Sequence, residues 1–177
     1  MNEQITTTAA GADAATAEQI VAMVLHAWTS QTKAITSFFA KHSDEAYLQE
    51  VAPGRNRAIY LLGHLVASND GLLPLLGFGE RLYPQLEEIF LRTPDRTVAD
   101  LPSLAELKDH WTAVNNALAA HFNELSPAQW LERHTRVSAE DFVLDPKRNR
   151  LTVLLSRTTH MSYHLGQLTF LAPPVAK

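Results

Sequence analysis

The sequence predicts an all-α protein, a four-helix bundle with short extra helices in its connections. Four long segments carry apolar residues three and four positions apart, the signature of helices with one buried face. Capping boxes, prolines and glycines punctuate them. No strand-like alternation runs long enough to compete.

The bulk properties fit one domain. The chain has 177 residues, 46% hydrophobic and 19% charged, enough for a substantial core. Residues 1–15, polar and rich in Ala and Thr, read as a flexible leader without the basic start and apolar run of a secretory signal. The bundle is expected over 16–172, with a tail at 173–177. No run of 18 apolar residues is evident, so no membrane span is expected, and the cytoplasm is the default location. The formal net charge is −4. The one basic cluster, Lys147-Arg148-Asn149-Arg150, is short, which argues against nucleic-acid binding. The chain has no cysteine. That excludes disulfides, thiolate ligands and a cysteine nucleophile, so a metal site would have to use His, Asp or Glu.

Taken in order, Thr16-Ala-Glu-Gln19 reads as a capping box opening helix 1, which extends to about Lys41. Ile20, Val24, Ala27, Gln31, Ile35 and Phe38 are expected on its buried face. Ser43 would cap a short helix over 44–51, and Pro53-Gly54 punctuates the chain. Helix 2 starts near Arg55 and passes through Gly63-His64-Leu65-Val66. Asn69-Asp70-Gly71 and Pro74 should end or bend it. A long connection follows, with a short helix over 83–91 and a turn at Thr93-Pro-Asp-Arg96. A connection of this length is a crossover or has a function. Ser103-Leu-Ala-Glu106 is a second capping box, and helix 3 runs to about Glu124 on the stripe Leu104, Leu107, Trp111, Val114, Leu118, Phe122, Leu125. Ser126-Pro127 opens one more helical turn. Residues 132–148 read as irregular, with a short hairpin or strand over 137–144 as the alternative. Helix 4 begins near Asn149 and stops before Pro173.

Helix 4 carries the chemistry. His160 and His164 are four apart, so their rings leave the same face. With eight histidines in the chain, such a pair arises by accident fairly often. Its context adds weight. Leu151, Leu154, Thr158, Met161, Leu165 and Leu168 form a core stripe. Val153, Arg157, His160, His164, Gln167 and Leu171 form a second stripe beside it. The two histidines then lie at the core's edge, where a buried imidazole needs a partner. The central expectation is that both ligate a divalent metal. His64, in an apolar stretch of helix 2, is the natural third ligand, and Gly63 beside it would let another helix come close. The alternative is a core histidine hydrogen-bonded to a backbone or hydroxyl group.

The other five histidines are poorer candidates. His42 and His134 lie in polar loops, His26 at the margin of its helix, and His110 and His121 at the rim of helix 3. Met161 follows His160, so this is not His-Glu-x-x-His and lacks the zincin base. No Glu-x-x-His occurs, against a ferritin-like dinuclear site. There is no P-loop, dinucleotide fingerprint or nucleophile elbow.

Gly63-His64-Leu65 followed by Asn69-Asp-Gly-Leu-Leu-Pro-Leu-Leu-Gly77, together with His160-x-x-x-His164-x-Gly166-Gln167, resembles the DinB/YfiT-like metalloenzyme superfamily over most of residues 17–172. The resemblance implies up-down-down-up topology. It also implies a Ni²⁺ or Zn²⁺ ion held by His64, His160 and His164. Relatives include transferases that use low-molecular-weight thiols, isomerases and hydrolytic or dehalogenating enzymes.

Three neutral histidines leave an ion its full charge and an open position, the pattern of a catalytic site. That position can activate water or a thiol. No carboxylate lies a turn from any ligand, which favours a substrate bringing its own nucleophile. A thiol-dependent transferase acting on a small molecule is therefore expected. The alternatives are a metal-dependent hydrolase and a non-catalytic bundle that binds metal or another ligand. A homodimer built on helix faces is the expected assembly. Gln167 would orient a ligand or a water. Arg157 would meet an anionic substrate or lie as a surface arginine. Tyr60 would donate a hydrogen bond at the pocket mouth or simply pack. Trp28 and Trp111 are expected in the core or at an interface.

Overall fold

The computed structural model describes the backbone of residues 3–171 and the side chains of 13–171. The expected tail at 173–177 lies outside the described residues. Eight α-helices occur among them: α1 (Glu3–Phe39), α2 (Asp44–Tyr47), α3 (Ala58–Asp70), α4 (Leu72–Leu76), α5 (Leu104–Glu124), α6 (Pro127–Trp130), α7 (Ala139–Leu144) and α8 (Arg150–Leu168), with a π-helical turn at Glu88–Arg92. The only β pairing among the described residues is two isolated bridges, Glu50 with Arg57 and Arg133 with Asn149. The fold is therefore all-α. α1 packs along α8, and α3 packs along α5 and reaches α8.

Local sequence signals account for most helix ends. Both Ser103-Glu106 and Ser126-Gln129 form reciprocal capping boxes, each satisfying two backbone donors that the first turn leaves without partners. Asn149 caps α8 by accepting from the Thr152 amide at 2.9 Å. The α5 and α8 core stripes are buried as expected, except that Leu125 and Leu165 are only half-buried.

Several expectations are corrected. α1 is helical from Glu3, so the leader continues the helix and Thr16 lies inside it rather than at its cap. Its buried face is Val21, Trp28, Ile35 and Phe39, while Ile20 is 49% exposed. Trp28 turns inward against Phe122, ring centroids 5.6 Å apart, and this large ring sets the face. α2 stops at Tyr47 and α3 starts only at Ala58, because Glu50 and Arg57 bridge across the Pro53-Gly54 turn. One expectation here holds: α3 ends at Asp70, and the chain bends at Gly71 into α4, as Asn69-Asp70-Gly71 predicts. Residues 139–144 form a helix rather than a strand, capped by Ser138, which accepts from the Asp141 amide. The stretch Ala58–Leu76 is long and apolar enough to cross a membrane, but 78% of it is buried inside the fold. It is the central core segment.

α3 is buried on every side: all its residues except His64 are buried. A helix apolar all round requires neighbours all round. The crossover after α4 covers one of its faces. Asp70, fully buried, accepts from the amides of Leu82 and Tyr83 at 2.8 and 3.0 Å. Arg81 donates to the Ala67 carbonyl at 2.9 Å. The Phe90 ring sits over Gly63, and the Tyr60 hydroxyl donates to the Thr93 carbonyl at 2.6 Å. Arg57 forks onto Asp95, with its shortest contact 2.6 Å. Positions 57, 60, 63, 67 and 70 are one turn apart on one face of α3, so the crossover runs back along it with a tie at each turn.

Gly63 is where the approach is tightest. A Cβ there would lie 2.3 Å from the Phe90 ring, and Phe90 is itself fully buried. The close neighbour is thus the π turn rather than a long helix. Gly63→Ala is expected to destabilise the protein by about 1–3 kcal/mol through overpacking. A drop of several degrees in the thermal midpoint would register it; an unchanged midpoint would show that Phe90 is free to move away.

Candidate metal centre

His64 comes from α3, and His160 and His164 from the half-buried stripe of α8. The structure brings all three together. Nε2 of His160 lies 3.1 Å from Nε2 of His64 and 3.0 Å from Nε2 of His164. The three donor nitrogens lie within 4.8 Å of one another. A separation beyond about 7 Å would have excluded a shared ion, given bonds of ~2.0–2.1 Å. Among the described residues this is the group of His and carboxylate side chains able to hold a metal.

Two rings have their outer nitrogen fixed. His64 Nδ1 lies 2.8 Å from the Phe90 carbonyl oxygen, and His164 Nδ1 lies 2.7 Å from Gln167 Oε1. Oxygens of this kind only accept, so both Nδ1 atoms carry the proton and both Nε2 atoms present a lone pair inward. The Gln167 amide is anchored in turn, donating to the Tyr163 hydroxyl at 3.1 Å. Gln167 thus orients a histidine. The Phe90 carbonyl does the same from the crossover. It lies in the π turn, where wide i→i+5 bonding and the element's end leave carbonyls without ladder partners.

His160 Nε2 faces two lone pairs and can donate a proton to only one of them. Its Nδ1 is buried without a partner. A cation shared by the three Nε2 atoms would satisfy every lone pair at once, so the donor set fits a divalent metal ion.

The electrostatics keep the rings neutral, as ligation requires. Burial, then His164, Arg157 and His64, lower the His160 pKa to about 3. Burial is also the largest cause holding His64 low, opposed by its bond to Phe90 and aided by Arg157. Burial lowers His164 as well, with Gln167 pulling the other way. No carboxylate joins the group.

The other candidates are placed as follows. Tyr60 is buried, and its hydroxyl is committed to Thr93; it ties down the crossover instead of facing a pocket mouth. Arg157 is half-buried three residues before His160, and its charge is felt at His64 and His160. Trp28 and Trp111 are core residues. His110 stacks on Tyr83 at 3.8 Å and His121 on Phe78 at 4.7 Å. His42 packs on Phe38 and Tyr47, His134 is half-buried and His26 is exposed. None joins the triad. Two cavities flank the triad along α8. One, about 530 Å³, includes Val153 and Arg157 in its wall. The other, about 490 Å³, includes Tyr163, Gln167 and Phe170.

The depressed histidine pKa values set a pH dependence for the metal-free protein. In the unfolded chain these rings take up protons near pH 6.5, whereas His160 in the fold resists down to about 3. The unfolded state therefore binds more protons in between, and stability falls as pH drops below 6.5. The decline runs from about pH 6.5 toward 3, and its part between about pH 6.5 and 5 is read before most carboxylates titrate. Denaturant midpoints should fall over that range in the wild type and less steeply in His160→Gln; parallel slopes would count against the buried neutral state of His160.

The model of the DinB superfamily matches residues 27–168 of the chain. No curated protein matches it. The matched span contains all three histidines, the crossover that supports His64 and the Gln167 that supports His164. The chain belongs to the DinB superfamily.

Proposed function

We propose that the protein is a divalent-metal-dependent enzyme in which His64, His160 and His164 hold the ion, with transfer chemistry on a low-molecular-weight thiol as its activity. The observation that carries this reading is the convergence of three neutral Nε2 atoms, two of them oriented by Phe90 and Gln167. Within this reading the four long helices form the up-down-down-up bundle, which the pairing of α1 with α8 and α3 with α5 supports.

A bound Zn²⁺ or Ni²⁺ ion would supply Lewis acidity at an open position, lowering the pKa of a thiol or water. The protein's own part is preparation. Phe90 and Gln167 hold His64 and His164 as Nδ1–H tautomers, so neither of these two rings has to reorient or lose a proton from Nε2. Burial keeps His160 unprotonated through the neutral pH range. The crossover shields α3 on the His64 side.

The absence of a carboxylate from the triad favours transfer over hydrolysis. Water attack needs a base to take a proton, and the charged group nearest in sequence to the pair, Arg157, is a cation that cannot serve. A thiol starts far closer to neutrality than water, so at the ion it would release its proton to bulk solvent and would need no such base.

Protein purified without a histidine tag is expected to hold about one divalent ion per chain and to lose it in His64→Ala and His160→Ala. Gln167→Ala should weaken binding about 10–100-fold, the usual effect of losing the partner that orients a ligand. Metal retained in both histidine variants would refute the triad. A turnover screen with small thiols and electrophiles should give thiol-dependent product; hydrolysis of esters or amides without any thiol would assign the site to the hydrolase chemistry instead.

A further inference from the structure

The cavity on the N-terminal side of the triad contains a cation with nothing to pair with. Its walls include Asn149, Thr152, Ser156 and Arg157 from successive turns of α8, with Leu75 and His134 contributed by other elements. Lys147, Arg148 and the carboxylate of Asp145 also border it, but these charges are matched: Lys147 lies 3.9 Å from Asp145, and Arg148 lies 3.6 Å from Asp141. Arg157 has none. It makes no ion pair or hydrogen bond among the described residues, and its Nε is buried without an acceptor. Arg81, the charge that bears on it, is positive too, and Arg81 is itself paired with Glu87 at 3.1 Å. A half-buried guanidinium with no counter-charge and a buried Nε–H unmet is unfavourable unless something outside the chain completes it.

We infer that this cavity is a carboxylate-binding site centred on Arg157, and that the molecule it holds is a small organic acid. The planar fork of a guanidinium matches the two oxygens of a carboxylate. Thr152 and Ser156, both hydroxyl-bearing, line the same wall. A volume of about 530 Å³ is within the range of small-molecule sites. Arg157 stands one helical turn from His160 and acts electrostatically on both His160 and His64. A carboxylate held by Arg157 therefore places the rest of the molecule toward the triad. That last step rests on the metal reading above and names its substrate class: a thiol or an electrophile that carries a carboxylate. The binding site itself rests only on the cavity and Arg157.

Calorimetric titration of the full chain, metal-free and with one equivalent of Zn²⁺, tests this with succinate and inorganic phosphate as probes. Saturable succinate binding is expected in both forms, with a shift of the Arg157 Nε–H resonance. Arg157→Gln should weaken it about ten-fold or more, and Arg157→Lys, which keeps the charge but not the fork, should fall between. The thermal midpoint of Arg157→Gln should stay level or rise, since an unpaired buried charge is removed. If that variant fails to fold, the wild-type resonance and Arg157→Lys decide. Undiminished succinate binding by the variants, no saturation in the wild type, or tighter binding of phosphate than of succinate would overturn the inference. Succinate binding without Zn²⁺ uptake would sink the metal reading alone, and Zn²⁺ uptake without succinate binding would sink the carboxylate site alone.

Discussion

The crossover laid against α3 is the constraint on which the rest depends. α3 is apolar on all sides and must be covered on all sides. α5 and α8 cover part of it, and the segment from Arg81 to Asp95 covers another face, tied at every turn from Asp70 back to Arg57. The tie at Gly63 and His64 links fold to site. The absence of a side chain at Gly63 admits the Phe90 ring, and the Phe90 carbonyl then meets His64 Nδ1. Packing fixes the backbone of the π turn, and that backbone fixes the tautomer and aim of His64.

The same logic holds on the other side of the site with different parts. His164 is oriented by a side chain on its own helix, Gln167, itself held by Tyr163. His160 has no such support at Nδ1 and depends on its neighbours at Nε2. The site thus combines two imidazoles fixed from outside with a third between them. Burial suppresses protonation of all three. An arrangement of this kind is preorganised for a cation and poorly suited to protons, because a proton can bridge only two of the nitrogens.

How much of this was legible in the sequence depended on the range of the signal. The capping box at Ser103, the helical turn opened at Ser126-Pro127 and the two stripes of α8 are local patterns, and they read correctly. The His pair and its link to Gln167 were visible because i,i+3 and i,i+4 spacings on a helix imply contact. His64 was reachable through its apolar surroundings and the family resemblance. Other features were hidden for physical reasons. The Phe90 carbonyl is a backbone acceptor, so no residue type marks it. Tyr60 was placed one turn from His64 correctly, but its partner Thr93 lies across the crossover, beyond any local pattern. Residues 137–144 carry Val137, Phe142 and Val143, side chains common in strands, which kept a strand open as the alternative. The signal that could have corrected this is Ser138, three residues before Asp141, a helix start. In α1 the apolar residues are spread widely enough that the buried face was set by Trp28 and its contact with Phe122, a matter of tertiary packing.

The central claim is that three neutral histidines, two of them aimed in advance by Phe90 and Gln167, hold one divalent ion. X-ray absorption at the metal edge of the Zn²⁺-loaded protein tests it most directly. The expected spectrum contains three imidazole nitrogens at ~2.0–2.1 Å with one further light ligand. Fewer than three imidazoles, or protein carboxylate oxygens in their place, would contradict it.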